Sequence, residues 1–166
     1  MNRLLVGVVV AMTAALLAGC HSEIGDDLQE LEYPLPNDLN VDDPGAESTL
    51  FDNGNRNGVE NGGTSPTVVF QQNAMVTSIM DYHWNNGNGQ APGTIALRSS
   101  DGTTYGPWAV TTRPGQGGVP NAYWDAYPNI VIPAGTYTVI DSDPATWAQN
   151  AESGGKGMVI ISGSLQ

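Results

Sequence analysis

Apolar and polar positions divide the chain into three stretches. Leu4–Leu17 is an uncharged run broken only by Gly7 and Thr13, whereas residues 21–47 carry scattered apolar positions among acids and prolines. From residue 48 onward, short β-favouring runs recur: 49–52, 67–71, 74–84, 94–98, 105–111, 121–127, 129–132, 136–141 and 157–162. Turn chemistry separates them at Asn53-Gly54, Asn57-Gly58, Asn86-Gly87, Asp101-Gly102, Pro114-Gly115 and Ala134-Gly135. Strict alternation through Met75–Tyr82 puts Val76, Met80 and Tyr82 on one face and Thr77, Asp81 and His83 on the other, as in a half-buried antiparallel strand. One helical start stands out, Asp143-Pro144-Ala145-Thr146-Trp147, with an acid before a proline. It predicts a short helix over 144–150. The pattern predicts an all-β fold, an antiparallel β-sandwich of jelly-roll-like form with that single helix.

The apolar run near the start has a different purpose. As a helix its fourteen residues would span roughly 21 Å, short of the about 30 Å of a bilayer core. Arg3 precedes the run and small residues follow it, the layout of a secretory signal over 1–19. Leu17-Ala18-Gly19-Cys20 resembles the lipobox of bacterial lipoproteins. That resemblance implies cleavage before Cys20, a diacylglyceryl thioether on its sulfur, and acylation of the new amino group. Cys20 is the chain's one cysteine, so no disulfide framework competes for it. One acyl chain holds a protein marginally and two or more hold it stably. The implied partner is therefore a membrane, reached without a spanning helix. His21 is not acidic, which in Gram-negative lipoproteins favours the outer membrane over the inner.

Charge narrows the partners further. The net charge is −12, and beyond Arg3 the cations are Arg56, Arg98, Arg113 and Lys156 alone. No basic patch could offset phosphate repulsion, so nucleic acid is excluded as a partner. Nine of the seventeen carboxylates crowd into 21–47, among them Glu23, Asp26, Asp27, Glu30, Glu32, Asp42 and Asp43, together with Pro34, Pro36 and Pro44. Such a stretch cannot bury enough surface to offset its ordering entropy. Residues 20–47 therefore read as a lipidated cysteine and a linker, and 48–166 as one domain of about 119 residues.

Three chemistries compete within that domain. Asp81 and His83, two positions apart on a strand, share a face and could form the base of a hydrolase. No Gly-x-Ser-x-Gly elbow accompanies them, and the expectation is a surface or rim histidine in a protein that is not an enzyme. A single histidine does not suggest zinc. Hard oxygen donors are plentiful, and Asp52, Asn53, Asp141 and Asp143 are candidate ligands for a structural calcium ion if the first and last strands lie together. The third chemistry is aromatic. Tyr82, Trp84, Trp108, Tyr123, Trp124 and Trp147 sit near glycine- and asparagine-rich turns, with His83 and Asn121 among them. Flat rings cover apolar sugar faces while amides satisfy hydroxyls, so these eight residues are the candidate ligand site. With Phe51 and Phe70 the only phenylalanines in the chain, several of them must also build the core.

The stretches Tyr82-His83-Trp84-Asn85, Tyr105-Gly106-Pro107-Trp108, Gly115–Trp124, and Gly135-Thr136-Tyr137 through Trp147 resemble a domain that recurs in bacterial secreted and surface proteins. The resemblance covers most of 49–163. It implies one extracytoplasmic domain and brings no catalytic residue with it. The function expected is a lipid-anchored binding or adhesion module for a glycan or another envelope component. The alternatives are an assembly lipoprotein docking on an envelope protein and, last, the Asp81/His83 hydrolase.

Overall fold

The computed structural model describes residues 47–166. The signal over 1–19, the lipidated Cys20 and the acidic linker up to residue 46 lie outside the described residues.

Among the described residues, ten strands form two antiparallel sheets. β1 (Ser48–Asp52), β10 (Val159–Leu165), β3 (Ala74–Tyr82), β7 (Tyr123–Ala126) and β6 (Thr111–Arg113) make the first in that order, and β8 (Ile130–Ile132) also pairs with β3. β2 (Thr67–Phe70), β9 (Gly135–Asp141), β4 (Thr94–Ser99) and β5 (Thr104–Ala109) make the second. β7 and β8 lie on successive parts of β3 and act as one interrupted strand. With β6 set aside as an added edge, the first sheet holds the first, eighth, third and sixth strands of a jelly roll. The second sheet holds its second, seventh, fourth and fifth. The expected all-β sandwich is the observed fold.

The core lies between the sheets. Val76, Ile79, Trp124, Val159 and Ile161 come from the first sheet, and Val68, Phe70, Ile95, Leu97, Tyr137 and Val139 from the second. Burial alternates along β9 and β2 as a period of two requires.

Along β3 the alternation breaks, and this decides the site. Ser162 faces Ser78 but its neighbour Gly163 faces Val76, so Thr77 is an extra residue with no counterpart on β10. A bulge of this kind reverses the parity of everything beyond it. Val76 is buried, and after the bulge so are Ile79, Asp81 and His83, while Met80 and Tyr82 point outward. The expectation that Asp81 and His83 share the face opposite Val76 is therefore corrected. Both lie inside the sandwich with zero exposure, not at its rim.

Two further expectations change. The helix expected over 144–150 is a single turn closed by Thr146 N–H on the Asp143 carbonyl. Its next donors are used elsewhere. Ala148 N–H donates to Tyr82 O, Gln149 N–H donates to Glu60 O, and the Trp147 indole N–H donates to Met158 O. The two backbone bonds take donors that a second helical turn would need, and the indole bond anchors Trp147 in the core. The single run expected over 105–111 is two strands, because the chain passes from one sheet to the other at the buried Val110.

Candidate functional site: a groove on the outer face of the first sheet

Reversal at Thr77 sends Met80 and Tyr82 to the outer face of the first sheet. Pairing then builds rows across it. Asp52, Ile160 and Met80 are successive partners on β1, β10 and β3, and in the next row Tyr82 stands beside Tyr123. The two tyrosine rings lie 5.0 Å apart at 35°. The row continues to Arg113 on β6, whose guanidinium carbon sits 4.8 Å from the Tyr123 ring centre. Nε and a terminal nitrogen of Arg113 donate to the two oxygens of Asp125 at 2.6 and 3.0 Å. This two-point pair fixes the edge strand, and with it the face of Tyr123.

Two loops raise walls over this face. The loop after β1 is tied down at Asn53, whose amide donates to Gly157 O and whose oxygen accepts Val159 N–H. Asn55 is held by reciprocal amide contacts with Asn150 at 2.7 and 3.0 Å. On the other side, the β6–β7 loop rests on Tyr82 at Gly115. A Cβ there would lie 3.1 Å from the tyrosine ring and 2.6 Å from Ala122 Cβ, so the approach needs glycine. The groove between the walls has a volume of about 750 Å³, and Asn55, Arg56, Tyr82, Gln116 and Tyr123 line it. A smaller hollow of about 290 Å³ shares Asn55, Tyr82 and Gln116 and continues to Trp84 and Asn57. Ring faces, amides and one guanidinium thus border one connected depression. Burial, and then Tyr123 beside it, raise the Tyr82 hydroxyl above its ordinary value.

Of the eight residues proposed from sequence, Tyr82, Trp84 and Tyr123 meet at this depression. The other five do not. Trp124 and Trp147 are core, with 1% and 0% exposure. His83 is buried under Trp124, the rings stacked with centroids 3.9 Å apart. Trp108 belongs to β5 of the other sheet and packs against the core. Asn121, exposed and at φ 51°, accepts from Thr112 Oγ1. Sequence reasoning missed Asn55, Arg56 and Gln116. Their glycine-rich loops signalled turns, and nothing local shows that such turns fold back over a sheet.

The four candidate calcium ligands do not converge. β1 does lie beside β10, but Asp52 Oδ1 is used by its own Gly54 N–H and Asn53 anchors its loop. Asp141 ends β9 in the opposite sheet, where Oδ1 accepts Asp143 N–H. Among the described residues, the group of acids and histidine close enough to share an ion is Asp81, His83 and Asp141, all buried. His83 Nε2 lies 3.0 Å from Asp141 Oδ2 and Nδ1 lies 2.9 Å from Thr146 Oγ1. Burial, and then the neighbouring Asp141, raise the Asp81 carboxyl well above the usual carboxylate range.

No family model, curated protein or solved structure matches this chain.

Proposed function

We propose that the protein is a non-enzymatic, lipid-anchored binding module of the bacterial envelope whose outer-face groove takes a glycan. One observation carries the reading. The paired Tyr82 and Tyr123 rings, with Trp84 further along, lie in a depression bordered by Asn55, Arg56 and Gln116. Rings exposed along a groove suit the apolar faces of pyranose units, and the amides and guanidinium suit their hydroxyls. Cys20 and the acidic linker supply the attachment and the spacing. A hydrolase at Asp81 and His83 is disfavoured, because neither side chain reaches solvent to meet a substrate.

The test is calorimetric titration of the full chain in detergent with a panel of envelope glycans, repeated with Tyr82→Ala and Tyr123→Ala. Saturable binding weakened roughly tenfold or more by either change supports the reading. Binding unaffected by both changes, or no binding to any glycan while an envelope protein occupies the same face, replaces it with the docking alternative.

A further inference from the structure

The polar cluster inside the sandwich has an unbalanced set of acceptors. Asp81 lies on β3, His83 directly follows that strand and Asp141 ends β9, so the cluster joins the two sheets. All three side chains are fully enclosed or nearly so, with 0%, 0% and 7% residue exposure. Neither oxygen of Asp81 has a hydrogen-bond partner, although a ligand atom from each of Asp81, His83 and Asp141 lies within 4.8 Å of the others. Two buried carboxylates facing each other are acceptors only, and a positive species between them would balance the pair. The candidates are a shared proton and a cation.

The surroundings of His83 favour the cation. Thr146 Oγ1 lies 3.3 Å from the Asp143 carbonyl, where its one hydrogen is used, and it is therefore free to accept from His83 Nδ1–H. That assignment turns the Nε2 lone pair toward Asp141 Oδ2, 3.0 Å away. A ligating histidine is oriented in this way, its second nitrogen donating to a fixed acceptor. Asp141 is steadied likewise by Asp143 N–H on its other oxygen at 2.6 Å. The Trp124 ring stacks on the imidazole, with centroids 3.9 Å apart.

We propose that Asp81, His83 and Asp141 bind one small divalent transition ion of the zinc class, which ties the two sheets together. Two carboxylates and a neutral imidazole balance a dication, so the buried cluster becomes neutral. With both Asp81 oxygens free, the set offers four donor atoms, the number that such an ion takes. Neighbouring donors around bonds of 2.0–2.1 Å lie about 3.3 Å apart. The 3.0 Å between Asp141 Oδ2 and His83 Nε2 needs a slight opening, and the ligand atoms of the three residues, which lie within 4.8 Å of one another, need to draw together around the ion. Calcium does not suit the set, since it takes six to eight oxygen ligands and one donor here is nitrogen. Because the ligands come from both sheets, the ion enters as the sandwich closes and its binding adds to folding.

The test refolds the full chain in detergent after chelation, with and without Zn²⁺, and in parallel with Co²⁺. One tightly held equivalent is expected. At a hundredfold excess over the dissociation constant, Zn²⁺ should raise the melting midpoint by on the order of 10 °C. Co²⁺ should give the visible bands of a four-coordinate ion. Asp81→Asn keeps the volume and can donate to Asp141, so it should fold and lose both responses. Absence of the cobalt bands and of any zinc shift in the unaltered chain overturns the proposal in favour of a shared proton. An Asp81→Asn protein that folds and responds like the unaltered chain overturns it as well. If Asp81→Asn fails to fold, the cobalt spectrum of the unaltered chain decides alone.

Discussion

His83 Nε2 lies 3.0 Å from Oδ2 of Asp141, a residue 58 positions away on the opposite sheet. The contact bridges the two sheets where β3 and β9 end, under the Trp124 ring. Replacing His83 with Leu would leave the Asp141 carboxylate buried without that partner. Such a change is expected to cost about 3–5 kcal/mol in urea unfolding at neutral pH. A loss below about 1 kcal/mol would mean that the cluster contributes little to holding the sheets.

Thr146 positions His83 without belonging to the core. Thr146→Val keeps the shape and removes the acceptor for Nδ1. The expected cost is about 1 kcal/mol, read by the same unfolding curves. Glycan binding at the outer groove should be unchanged, since Thr146 does not line it.

The groove reading makes a prediction about which aromatics matter. Tyr82→Ala should weaken glycan binding roughly tenfold or more, whereas Trp108→Ala should leave it unaltered because Trp108 stands on the other sheet. Trp108→Ala should instead lower stability, since the indole packs against the core. Equal losses of affinity from both changes would move the binding face away from the groove.

Gly163 permits the bulge. A Cβ at this position would lie 1.9 Å from the Met75 carbonyl oxygen, and that backbone is fixed in the sheet. Gly163→Ala should cost about 3 kcal/mol and, by disturbing the parity of β3, should alter the near-ultraviolet circular dichroism of the Tyr82 and Trp124 environment.

Asp101 gives a pH signature. Its carboxylate accepts Thr103 N–H at 2.8 Å, and that bond, with the Thr103 and Ser99 side chains, holds the group below the ordinary aspartate value. A depressed acid stabilises the folded state above its unfolded value. That contribution falls away as pH drops from about 4 through the lower folded value. Asp101→Asn should therefore melt over a flatter acid limb than the unaltered protein, with the two curves closest at the lowest pH. Parallel curves across that window would show that the turn gains nothing from the charge.

Strand positions and the sandwich class were legible from residues 48–166 alone, because β-branched runs and Asn-Gly or Pro-Gly turns act over a few residues. The expected strands at 49–52, 67–71 and 136–141 lie almost where the structure has them. Of the eight candidate site residues, three line the groove and its neighbouring hollow. Facing was not legible. Alternation along β3 reads as one unbroken period in the sequence, and only pairing with Ser162 and Gly163 shows that Thr77 is an extra residue. That register involves residues more than eighty positions apart and is set by a close backbone approach at a glycine. It turns Asp81 and His83 inward and Tyr82 outward. The helix after Asp143 was lost for a similar reason, as Ala148 and Gln149 spend their donors on Tyr82 and Glu60. Local chemistry therefore determined what elements this chain forms. Long-range pairing decided which of its chemical groups face solvent and which face one another, since a period of two is reversed by a single added residue.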